Sequence, residues 1–138
     1  MRRLLALLLM MTGPLALPAV SQAPDPHSIP AVDAGLGPCS ADFTINDTAG
    51  KPVYAAKVKV RIAYGFASAH KLDLEVGTNV DGKARVTGLP THLKKGLFFE
   101  ASESDRTGNA FDDPTNTCKA QFAITLRKSP QQNSAPTQ

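Results

Sequence analysis

The sequence has no tryptophan, two tyrosines, two cysteines and three histidines in 138 residues. Without tryptophan it lacks the ring best suited to stacking on sugars, and glycan binding through exposed aromatics has little to draw on. The cysteines, Cys39 and Cys118, have no Cys or His at ligand spacing, so a structural zinc site is not expected. His27, His70 and His92 are far apart and fall in loop-like contexts. They read as surface histidines rather than metal ligands or general bases. No Gly-x-Ser-x-Gly nucleophile elbow occurs. The one apolar run, Leu4 to Met11, is shorter than the roughly 20 residues a membrane helix needs.

A strong charge imbalance is also lacking. There are 15 Lys and Arg against 12 Asp and Glu, a formal charge of +3. Two of the basic residues, Arg2 and Arg3, precede the apolar run in the manner of a secretory signal, with small residues at Ala19 and Ser21. Cleavage is expected after Ser21, which leaves 13 − 12 = +1 on the mature chain. The short basic runs Lys57-Val-Lys59-Val-Arg61 and Lys94-Lys95 read as a solvated strand face and a loop pair. No footprint for nucleic acid results, and no membrane insertion is expected after cleavage.

Export places both cysteines in an oxidising compartment, where a Cys39–Cys118 disulfide is the natural state. It closes a loop of roughly 80 residues, worth about 4 kcal/mol in the chain-entropy model. The expected organisation is a signal peptide over 1–21, a Pro-rich linker over 22–38, a β domain over 39–128 and a disordered tail over 129–138. The linker holds Pro24, Pro26, Pro30 and Pro38, and the tail is Pro, Gln, Ser, Asn and Thr with little to bury.

Inside the domain the apolar period is two. Ala41, Phe43 and Ile45 alternate with polar neighbours, as do Val58, Val60, Ile62 and Tyr64; Leu72, Leu74 and Val76; Ala84 and Val86; and Ala120, Phe122, Ile124 and Leu126. Leu97 to Ala101 reads as a short apolar strand. Asp81-Gly82 between two alternating runs predicts a β-hairpin turn. Pro90 ends the second run, because proline has no N–H for a ladder. Six or seven short strands divided by Gly, Pro and Asn-Asp turns point to a sandwich. Cys39 is in phase with Phe43, and Cys118 with Phe122. Both cysteines start a strand, so the first and last strands run the same way, as parallel neighbours or facing across the core.

Three segments carry a family pattern: Phe43-Thr-Ile-Asn-Asp-Thr-Ala-Gly50-Lys-Pro-Val53-Tyr-Ala-Ala56-Lys-Val58-Lys-Val60, then Thr78-Asn-Val-Asp81-Gly82-Lys-Ala-Arg-Val-Thr-Gly88-Leu89-Pro90, then Leu97-Phe-Phe-Glu-Ala101. Together they resemble a carboxypeptidase regulatory-like domain of the prealbumin-like, or transthyretin-like, sandwich family. The resemblance implies an all-β fold, a seven-stranded Greek-key β-sandwich of immunoglobulin/prealbumin type. It implies no catalytic residue, because the family module is an accessory, adhesion or binding unit. The related transthyretin-like hydrolases end in Tyr-Arg-Gly-Ser, unlike Ser-Ala-Pro-Thr-Gln here.

The functional expectation is a secreted or periplasmic, non-enzymatic, monomeric module with no cofactor and no metal. Its partner is a protein or glycan at the cell envelope, met through loops at Gly65 to Lys71, Thr91 to Gly96 and Ser102 to Asn116. The alternatives are a carbohydrate-binding module and a small secreted hydrolase on the same scaffold. Two features stand apart. Glu103 to Asp113 reads as a solvated acidic loop, with oxygen ligands of the kind calcium takes but without the EF-hand spacing. Asn46-Asp47-Thr48 is a glycosylation sequon on a turn. Lys57 and Lys59 fall on a polar strand face, away from any isopeptide role.

Overall fold

The computed structural model describes residues 13–130. It is all-β, with two sheets packed as a sandwich. The strands are β1 (Ala31–Asp33), β2 (Cys39–Asn46), β3 (Lys57–Tyr64), β4 (His70–Gly77), β5 (Lys83–Leu89), β6 (Leu97–Glu103), β7 (Arg106–Asp112), β8 (Lys119–Thr125) and β9 (Arg127–Lys128). One sheet has the order β1-β5-β2-β8 and the other β4-β3-β6-β7-β9. Nine strands among the described residues stand where seven are expected, and the short β1 and β9 lie at sheet edges.

The period of two is what builds the core. Along β2, Cys39, Ala41, Phe43 and Ile45 are buried and their neighbours are not. Along β3, Val58, Val60 and Ile62 are buried while Lys57, Lys59 and Arg61 face water. Phe43 meets Phe99 of the opposite sheet with ring centroids 4.8 Å apart, and Phe122 stacks on Phe43 at 5.7 Å. These rings contribute more than area, because tilted and offset aromatic pairs add about 0.5–1.5 kcal/mol each.

The cysteines are disulfide-bonded, with Cα atoms 4.5 Å apart. β2 and β8 are parallel neighbours in register from Ser40↔Lys119 to Asn46↔Thr125. Of the two arrangements open to the strands holding the cysteines, the molecule uses the adjacent one.

Four expectations need correction. The Asp81-Gly82 turn does not close a hairpin. β4 pairs with β3, and β5 pairs with β1 and β2, so the turn carries the chain from one sheet to the other. Thr78 fixes this corner: its Oγ1 accepts from the Ala56 N–H at 2.9 Å and donates to the Val53 carbonyl at 2.6 Å. Gly82 sits at φ +71°, and its carbonyl accepts from the Ile45 N–H, so the turn belongs to the β2 end of the sandwich.

The Pro-rich segment 22–38 is not simply a linker. β1 pairs in parallel with β5, the Arg85 N–H donates to the Pro30 carbonyl at 2.9 Å, and the Leu36 N–H donates to the Gly88 carbonyl at 2.7 Å. Backbone bonding along β5 holds the segment, together with the Asn79 side chain and the packing of Val32, Ala34 and Leu36 against the core.

The acidic segment is not a loop. Glu103 to Asp113 is the end of β6, a tight turn at Ser104-Asp105 and the strand β7. The loop expected over Ser102 to Asn116 therefore shrinks to that turn and the residues after Asp112. His70 opens β4 rather than lying in a loop, because the connection after β3 is a single 3-10 turn over Phe66–Ser68.

The expected signal peptide falls largely on residues 1–12, outside the described residues, and residues 13–21 have no regular secondary structure. Of the expected tail, residues 131–138 are likewise outside them. Among the described residues no helix is long and apolar enough to cross a membrane.

Candidate interaction surface

The solvent face of the five-stranded sheet is built by the outward positions of β3, β4, β6 and β7. Register places Phe98 directly opposite Phe111. Both rings stay in water, at 56% and 60% exposure. Gly96 makes this seating possible: a Cβ there would stand 2.5 Å from the Phe111 ring. Two adjacent exposed phenylalanines on a sheet otherwise lined by charge are an unusual disposition for a surface. Phe66, at the tip beyond β3, is 94% exposed.

Beside the pair runs a ladder of cross-strand ions. Arg61 grips Asp73 with two bonds, Nε to Oδ1 at 2.6 Å and the other fork nitrogen to Oδ2 at 3.1 Å. Lys57 and Lys59 both reach Glu75, at 3.5 and 3.6 Å. The bond from Arg61 holds the Asp73 carboxyl below the ordinary carboxylate range. These pairs are exposed, so they set strand register and solubility more than stability. Lys59, Arg61, Asp73, Glu75, Phe98 and Glu100 line one shallow groove.

The solvent face of the four-stranded sheet is polar. Arg85 of β5 forks onto Asp42 of β2, and the pair floors two adjoining hollows that also share Gln121 of β8. Ile29 of the N-terminal segment walls the larger one.

The expected site residues are spread out. His27 lies in the N-terminal segment, its Nδ1 2.9 Å from Asp81 Oδ2, and that hydrogen bond raises its pKa. The His70 ring stacks on Tyr64, centroids 5.4 Å apart. His92 sits between β5 and β6, at the end of the sandwich opposite the Asp81 turn. Among the described residues, no three His, Cys, Asp or Glu side chains come together as a metal site would require. The carboxylates of the acidic segment go separate ways. Glu103 pairs with Arg106, Asp105 with Lys128, and Asp113 Oδ1 accepts from the Thr115 N–H at 3.0 Å. Asp112 is buried, and its Oδ2 has no partner among the described residues. Asn46 closes β2, its carbonyl accepting from the Leu126 N–H.

Sequence reasoning overlooked the Phe98–Phe111 pair. Phase contained half of the signal, since Phe99 inward forces Phe98 outward. Phe111 is hidden because Gly108 interrupts the apolar alternation of its strand.

No family model matches the chain, and no curated protein matches it. Among solved structures it is similar to 3-chlorocatechol 1,2-dioxygenase from Rhodococcus opacus, at 14% identity and TM-score 0.47, over 86% of this chain and 71% of that one. It is also similar to chlorocatechol 1,2-dioxygenase from Pseudomonas putida, at 10% identity and TM-score 0.45, over 83% of this chain and 69% of that one. At these values the likeness assigns neither an activity nor a substrate to this chain.

Proposed function

We propose that the chain is a secreted or periplasmic, non-catalytic β-sandwich module that binds another protein. The exposed Phe98–Phe111 pair carries this reading. Aromatic side chains set among charges are the composition of a binding patch, with a buried anchor at its centre and a polar rim around it. The Lys57, Lys59, Arg61, Asp73 and Glu75 ladder supplies the rim. The Cys39–Cys118 bridge supports an oxidising compartment, as does the signal-like leader in the sequence. We take the seven longer strands, β2 to β8, as a Greek-key sandwich of prealbumin type akin to carboxypeptidase regulatory-like domains.

The test compares the wild-type chain with the Phe98→Ser/Phe111→Ser double variant, each immobilised and exposed to an envelope extract and to a glycan array. The expected result is a defined protein retained by the wild type and lost by the variant. Glycans retained equally by both would contradict the proposal and favour a carbohydrate-binding module.

A further inference from the structure

The edges of the two sheets are not equally guarded. β1 is three residues long and β9 two, while β4 carries Lys71, Asp73 and Glu75 on its outward face. Short strands and charges are how sheets protect their edges from pairing. β8 has little of either, with Lys119 its one charge. The strand is seven residues long, and Ala120 to Thr125 is free of charge and of proline.

Its backbone is half unused. The Ser40 N–H donates to the Cys118 carbonyl and the Leu126 N–H to the Asn46 carbonyl, both at 2.8 Å. In a parallel ladder these two bonds settle which residues of β8 face β2, namely 118, 120, 122, 124 and 126. Lys119, Gln121 and Ala123 therefore direct their N–H and C=O groups away from β2. Among the described residues β8 pairs with β2 alone, and no turn or loop reaches those groups. At the far end, Gly108 of β7 closes against Ile124 and Thr125, so the open stretch is Lys119 to Ala123. Phe122, stacked on Phe43, is half-buried at this edge, because no strand lies beyond it.

We propose that the open edge of β8 accepts an extended strand of a partner protein, with an acidic residue at the Lys119 end and an apolar side chain over Phe122. Main-chain bonds to Lys119, Gln121 and Ala123 supply the affinity, and the two side chains supply the selectivity. Pairing of β8 with the β8 of a second copy is a poorer arrangement, because β8 contains no acidic residue to meet Lys119. The inference rests on the reading of the chain as a protein-binding module, at a surface separate from Phe98 and Phe111.

The experiment follows amide hydrogen exchange in the oxidised full chain during titration with the capped peptide acetyl-Glu-Val-Thr-Val-Thr-Val-amide, whose even positions share the face of Phe122, and its counterpart beginning with Lys. With free acidic peptide at about ten times its Kd, exchange at Lys119, Gln121 and Ala123 slows about tenfold, as mass action requires. The Lys peptide binds more weakly, and Lys119→Glu reverses that order. Ala123→Pro removes an outward N–H without touching the β2 ladder, keeps the disulfide and abolishes the slowing. Unchanged exchange at the three residues, slowing on another strand, or an Ala123→Pro variant that binds as the wild type overturns the proposal. So does a concentration-dependent dimer in which those amides are slow without peptide, which assigns the edge to a second copy. The Phe98→Ser/Phe111→Ser variant binds the peptide normally, so loss of the envelope partner and loss of edge binding are separate outcomes.

Discussion

Asn79 holds the main chain at His27. Its Nδ2 donates to the His27 carbonyl at 3.0 Å and to the Ser28 carbonyl at 3.1 Å, while its Oδ1 accepts from the N–H groups of Asp81 and Lys83. The side chain is buried, and all four of its hydrogen-bonding positions are filled. One amide thus shapes the turn between the sheets and ties the N-terminal segment to it.

Asn79→Ala is expected to lower stability by about 2–4 kcal/mol, because it strands buried backbone donors and acceptors together. Asn79→Asp keeps the acceptor for Asp81 and Lys83 but has no donor for the arm. It is expected to lose less overall stability and to release the arm selectively. Denaturant unfolding together with hydrogen exchange at Arg85, whose N–H bonds Pro30, separates the two effects.

The contact between His27 and Asp81 makes the arm sensitive to pH. The folded pKa of His27 is raised, first by the hydrogen bond to Asp81 and then by its charge. A histidine raised in the folded state stabilises fully below its unfolded value and loses that contribution as pH rises through the folded value. Asp81→Asn is expected to return the His27 titration towards the ordinary value. NMR titration of the His27 ring in both proteins checks this, and identical titrations would contradict it.

Asp112 works in the opposite direction. Burial raises its pKa, and the neighbouring Asp113 raises it further. A carboxyl raised in the folded state costs nothing when both states are protonated, and its penalty develops as pH rises through the folded value. Asp112→Asn is therefore expected to raise the melting temperature relative to wild type at pH 7 and to lose that advantage near pH 3. Calorimetry of both proteins across this range shows the sign.

Gly88 lies where the arm wraps the end of β5. Its φ is +68°, and a Cβ there would collide with the Asp33 carboxylate and stand 2.5 Å from the Gly35 nitrogen. Gly88→Ala is expected to destabilise the protein by about 2–4 kcal/mol, measured by chemical unfolding. Gly50→Ala, at a glycine with open space around it, serves as the control for positive φ alone.

The contrast between what the sequence reveals and what it conceals follows from the forces involved. Burial of alternate residues leaves a period of two, so β2, β3 and β8 and the inward phase of both cysteines are legible. A turn signal such as Asp81-Gly82 says where the chain bends, not which strand it meets next. That choice depends on Thr78 bonding Val53 and Ala56, over 25 and 22 positions. The arm is held by main-chain bonds to β5 and by the distant Asn79 side chain, partners that its few apolar residues, Val32, Ala34 and Leu36, do not announce. β7 hides because Gly108 must be small beside Ile124, which breaks the apolar alternation. The candidate surface was half visible: phase turns Phe98 outward, but its partner Phe111 appears only once β7 is recognised as a strand.

The most direct measurement is residue-resolved amide exchange across β8 in the free, oxidised protein. Slow exchange at Ala120, Phe122 and Ile124, interleaved with fast exchange at Lys119, Gln121 and Ala123, is the predicted result. Exchange that is uniformly slow or uniformly fast from Lys119 to Ala123 would contradict both the register imposed beside the Cys39–Cys118 bridge and the open edge proposed for a partner.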